Sequence, residues 1–152
     1  MLCGRRVRDV PYITFRRHVL NNLINAALGN CWGNLHTNDT FVTPDKALGS
    51  PFSIESIDNN SVVIKTDGNT KIDINRQAFI AVVRYLIENK HSVQKPCAIG
   101  SNKTIGDAGP LCVTARNANG QNIMIINYLL PLLSRMGLVD IDGNRPNKTW
   151  LI

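Results

Sequence analysis

Residues 119–152 read NGQNIMIINYLLPLLSRMGLVDIDGNRPNKTWLI, and two periodicities follow one another along this stretch. Ile126, Leu129, Leu130, Leu133 and Met136 recur on one face at helical spacing, and Gly137 directly after them is a helix stop. Leu138, Val139 and Ile141 then make a short strand, Asp142-Gly143-Asn144 is turn chemistry, and Thr149 to Ile152 return as a second strand. The order is helix, strand, turn, strand. Pro131 falls inside the helical pattern, where it lacks an N–H and clashes with the preceding turn. The expectation is a kink there, or a helix proper that begins near Leu130.

Upstream, residues 90–119 carry Pro96, Gly100, Gly106, Gly109 and Pro110, which break periodicity, and only Leu111 to Val113 form a short buried piece. Before them Asn75 caps a helix through about Asn89, with Phe79, Val82, Val83, Leu86 and Ile87 as its buried stripe. From Phe52 the period is two: Phe52, Ile54 and Ile57, then Val62 and Ile64, then Ile72 and Ile74. Asp58-Asn59-Asn60 and Asp67-Gly68-Asn69 are the turns of this small three-stranded antiparallel meander. Residues 30–51 are rich in Gly, Pro and Asn and predict an ordered loop, with Trp32 and Phe41 as anchors. Thr14 caps a helix to Leu28 in which Phe15, Val19, Leu20, Leu23, Ile24, Ala27 and Leu28 share a face and Gly29 is the stop. Strands and helices segregated along the chain predict an α+β arrangement rather than a parallel βαβ sheet.

The run Leu132-Leu133-Ser134-Arg135-Met136-Gly137-Leu138-Val139, leading into a hairpin that carries Arg145-Pro146-Asn147-Lys148, resembles the C-terminal half of a winged-helix DNA-binding domain. The resemblance implies that polar residues at the start of a recognition helix meet base edges while wing residues reach phosphates. On this chain those places hold Arg116, Asn117, Asn119, Gln121 and Asn122, and then Arg145 and Lys148. Arg suits guanine and phosphate, and Asn or Gln pairs with adenine. A winged helix also needs a middle helix before the recognition helix, which residues 90–119 have to supply. More loosely, the meander and the helix after it resemble accessory or target-recognition modules of restriction–modification proteins.

Composition bounds the function. In 152 residues, 43% hydrophobic content is enough for a real core, and 17 Lys plus Arg against 11 Asp plus Glu leave a net charge of +6, which favours a polyanionic partner. Arg5, Arg6, Arg8, Arg16 and Arg17 make the N-terminus the most basic segment, an arm or helix face able to lie on phosphates. The N-terminus lacks the apolar core of a signal peptide, and no stretch is long and apolar enough for a membrane span, so the expected location is the cytoplasm. Cys3, Cys31, Cys97 and Cys112 form no CxxC pair, and zinc binding by Cys31, His36, Cys97 and Cys112 would need a spacing unlike common structural sites.

Three strings have an ordinary reading that outweighs an enzymatic one. Asp73 with Glu88-Asn89-Lys90 has the order of a metal-dependent nuclease, but Glu88 and Lys90 close an amphipathic helix instead of lying on a core strand. Gly100-Ser101-Asn102-Lys103-Thr104 lacks the first glycine of a phosphate-binding loop and the glycine before its lysine. His18, His36 and His91 have no nucleophile or carboxylate at local spacing. The expectation is therefore an N-terminal helix, a β-meander, a helix and a winged-helix-like helix plus hairpin. Residues 1–51 are the basic arm, helix and loop; residues 52–152 are the meander and winged-helix-like module, in one unit with the N-terminal helix. The expected function is double-stranded DNA binding, as a regulator or as the targeting domain of a DNA-processing system, with no catalytic residue, metal or cofactor. The alternative is a protein-interaction or dimerisation module whose partner is a larger protein or a second copy; a metal-dependent nuclease is third.

Overall fold

The computed structural model describes the backbone of residues 2–152 and the side chains of residues 14–152. Helix α1 (Leu2–Cys31) runs through Gly29 instead of stopping there. A glycine inside a helix costs only about 1 kcal/mol, and the next residue beyond the helix anchors it. Trp32 is buried, its Nε1 donates to the Asp58 carbonyl at 2.8 Å, and its ring meets Phe79 edge-on at 5.1 Å. Only part of the expected apolar face of α1 turns inward. Ile24 and Leu28 are buried and Leu20 is half-buried, whereas Phe15, Val19 and Leu23 point to solvent. At 100° per residue these two sets lie on opposite sides of the helix, so they never shared one face.

Strands β1 (Thr40–Val42), β2 (Pro51–Ile57), β3 (Ser61–Thr66) and β4 (Lys71–Asn75) pair antiparallel in that order into a four-stranded sheet. Its inward face holds Phe52, Ile54, Val62, Ile64, Ile72 and Ile74 at the expected period of two. The additional strand β1 lies in the stretch expected to be a loop. Its single buried side chain, Phe41, stacks on Phe52 at 5.4 Å, and one buried position is too few to show a period.

Helix α2 (Arg76–Glu88) starts where Asn75 caps it, the Asn75 side chain accepting from the Gln77 N–H at 2.9 Å. It is buried on most of its surface, including Ala78, Phe79, Ile80 and Ala81, because α1, α3 and the second sheet all pack on it; Ile87, expected inside, is exposed. Then come β5 (Cys97–Ala98), α3 (Pro110–Asn119), α4 (Ile126–Arg135), β6 (Val139–Asp142) and β7 (Lys148–Leu151), and the second sheet has the order β5–β7–β6. Leu111 to Val113 are the first turn of α3. Pro110 at its first position and Gly120 after it, left-handed at φ 71°, are the start and stop signals that delimit this helix. Helix α4 begins at Ile126 and passes through Pro131, whose missing N–H removes only the bond to the Asn127 carbonyl.

The fold is α+β, with one continuous apolar core from Ile24 of α1 to Val139 of β6. The division at residues 51 and 52 falls at the start of β2, and β1 pairs with β2 across it, so the two expected parts share that core. Among the described residues no helix is long and apolar enough to cross a membrane.

Candidate nucleic-acid interface

Helix α4, expected to be the recognition helix, buries one face and has the other partly covered. Ile126, Leu129, Leu130 and Leu133 face the core and are fully buried. The opposite face lies against the first sheet: the Tyr128 ring meets Phe52 edge-on at 5.2 Å, and the Arg135 guanidinium lies over the Phe41 ring at 4.5 Å and 3.4 Å from Asp39. β1 and β2 thus cover part of the outward side of α4, on which Asn127, Tyr128 and Ser134 are half-buried and Arg135 is exposed.

The expected base-reading residues divide. Asn117, Gln121 and Asn122 are exposed at the α3–α4 turn, with Asn122 at φ 52°. Asn119 is buried: its Oδ1 accepts from the Asn75 N–H at 2.7 Å and its Nδ2 donates to the Asp73 carbonyl at 3.0 Å. Its amide ties α3 to β4 and has no free edge for a base. Arg116 is buried as well, its Nη2 donating to the Lys103 carbonyl at 2.9 Å. Periodicity alone does not reveal α3, the helix that turns both residues inward.

At the hairpin, Arg145 is exposed but engaged. Its Nε lies 2.8 Å from Asp45 Oδ2, and the Lys46 N–H donates to the Gly143 carbonyl at 3.0 Å. The loop at residues 43–49 therefore braces the tip. Gly143 permits this approach, since a Cβ there would collide with the Pro44 carbonyl and stand 2.8 Å from Lys46 Cγ. The Leu48 N–H and then the Arg145 guanidinium hold the Asp45 carboxyl down at about 2. The Asn144 N–H, with Lys46 and Lys148 adding smaller effects, likewise lowers Asp142. Lys46 is a cation of this tip that sequence reasoning did not single out; it belongs to a loop a hundred residues away in the chain, and no local signal links the two. Lys148 is half-buried on β7.

On α1, Arg16 is exposed, and Arg17 is exposed with its Nε 4.0 Å from Glu88, which also pairs with Arg84 at 3.8 Å. Arg5, Arg6 and Arg8 lie outside the described side chains. Glu88 is thus engaged with arginines at the end of α2. The stretch Gly100 to Thr104 runs into a short 3-10 turn (Ile105–Asp107). Against the expectation, His36 does have a carboxylate at local spacing, its Nδ1 lying 3.7 Å from Asp39 three residues on, while His91 Nδ1 lies 3.0 Å from the Lys95 carbonyl. Among the described residues no three His, Cys, Asp or Glu side chains converge to hold a metal ion. No family model, curated protein or solved structure matches the chain.

Proposed function

We propose that this protein binds double-stranded DNA through a winged-helix-like module, residues 76–152, and that it does so by phosphate contact instead of base readout. The observation that carries this reading is topological. The elements α2, β5, α3, α4, β6 and β7 follow one another, with a sheet order of β5–β7–β6, in the succession of helix, strand, two helices and hairpin that a winged helix requires. The net charge of +6 and the exposed Arg16, Arg17, Lys46 and Arg145 supply the electrostatic attraction. The partial cover over α4 limits the usual source of sequence discrimination and favours the hairpin tip, the α3–α4 turn and the α1 arginines as contact points. A regulatory or restriction–modification role rests on the same reading.

The test is titration of a random-sequence duplex at two salt concentrations. Affinity falls steeply as salt rises, because each phosphate contact releases counterion; no detectable binding at low salt overturns the proposal. An interaction module is the second reading, and the outward face of α1 favours it: Phe15 and Leu23 are 65% and 64% exposed, one helical repeat either side of Val19. Sedimentation of the wild type against Leu23→Ser separates the two, since only an α1-mediated dimer dissociates on that change.

A further inference from the structure

An open pocket of about 390 Å³ lies where the ends of β3 and β4 meet the α3–α4 turn. Its lining includes a buried cation, Arg116, that has no carboxylate partner among the described residues. Arg116 lines it and is only 4% exposed, and among the described residues no carboxylate lies within 4.0 Å of its guanidinium. Nη2 donates to the carbonyls of Asn102 and Lys103 at 3.4 and 2.9 Å, while the buried Nε has no acceptor. A guanidinium stays charged at any physiological pH, and a buried charge with unfilled hydrogen-bonding capacity is costly unless an opposite charge meets it. Arg116 lines the pocket, so an anion seated there would supply the opposite charge that this guanidinium lacks among the described residues.

The rest of the lining suits an oxyanion with a larger body. Lys103 adds a second, exposed cation, also without a carboxylate partner among the described residues. Thr66, Thr70 and Asn122 bring uncharged donors to the rim. Tyr128 contributes an aromatic wall, held edge-on by Phe52. The volume lies within the range of small-molecule sites, well beyond what a bare phosphate fills. A tetrahedral oxyanion matches the donors; a planar apolar group matches Tyr128.

We propose that this pocket binds a phosphate-bearing ligand, with its phosphate on Arg116 and Lys103 and its body against Tyr128. The phosphate can belong to a free mononucleotide or to a nucleic-acid strand. The site does not depend on duplex binding and stands or falls by itself.

The experiment uses the full chain labelled with nitrogen-15 and follows the Arg116 Nε–H signal and the Asn122 and Thr70 amides. The probes are inorganic phosphate, adenosine monophosphate, adenosine and a short single-stranded oligonucleotide, with chloride at matched ionic strength as the control. Saturable movement of the Nε–H signal with phosphate and with the monophosphate, absent with chloride, supports the site. Lys103→Ala is a surface change that spares the core, and it weakens monophosphate binding by about tenfold, the loss expected for one charge-assisted contact. Tighter binding of the monophosphate than of the oligonucleotide identifies a free ligand, and the reverse identifies a strand. The proposal is overturned if adenosine binds as tightly as its monophosphate, if chloride moves the signals equally, or if Lys103→Ala leaves affinity unchanged.

Discussion

Asp45 holds Arg145 at 2.8 Å, and this ion pair decides whether Arg145 itself is free to meet phosphate. Asp45→Asn keeps an acceptor oxygen for the Leu48 and Ala47 N–H groups but removes the charge that engages Arg145. The variant therefore binds duplex DNA more tightly, with a salt slope steeper by about one contact; an unchanged slope in fluorescence anisotropy means that Arg145 does not meet phosphate. The same pair responds to acid. The folded value for Asp45, about 2, lies below its ordinary 3.8, so the ionised carboxyl stabilises the fold above 3.8, and that contribution is lost as pH falls through about 2. Carboxyl titration by NMR gives the low midpoint, and Arg145→Ala moves it upward without restoring 3.8, because the Leu48 N–H remains. Asn119 has a different role. Asn119→Ala leaves the Asn75 N–H and Asp73 carbonyl without their buried partner, which costs about 1–3 kcal/mol in denaturant unfolding. Its DNA affinity, once folded, equals that of the wild type.

Among elements, α4 and the hairpin carry separate tasks. Leu133 on α4 is fully buried, and Leu133→Ala destabilises by about 2–5 kcal/mol in chemical denaturation. The hairpin between β6 and β7 projects its cations outside that core. Replacing both Arg145 and Lys148 with Ala leaves the melting temperature near that of the wild type while lowering the salt slope by up to about two units and weakening all duplexes alike. If affinity and slope are unchanged, the hairpin is not a DNA-binding wing. The end of α1 is fastened differently: Arg76 Nε donates to Asn25 Oδ1 at 2.7 Å, and its guanidinium lies 4.7 Å over the Trp32 ring, joining α1 to the start of α2.

For the whole molecule, the packing of the first sheet on α4 makes a strong expectation. Duplexes of unrelated sequence bind with similar affinity, because the first sheet partly covers the outward face of α4 and Asn119 and Arg116 are buried; a competition assay that recovers one preferred sequence contradicts this. The elements with strong local periodicity were legible in the chain. The alternation from Phe52 to Ile74, the Asn75 cap and stripe of α2, and the α4, β6 and β7 succession depend on spacings of two or 3.6 residues that hydrophobic burial imposes locally. Helix α3 was marked only by Pro110 and Gly120, and β1 only by Phe41, because short elements bury too few residues to establish a period. What the sequence alone determined is the α+β class, the basic charge and most element types. Tertiary structure alone decided that the first sheet packs on part of α4, that α3 turns Arg116 and Asn119 inward, and that Asp45 engages Arg145 from a distant loop. Those outcomes depend on which faces meet across long stretches of chain, and side-chain order along the sequence encodes a face without naming its partner.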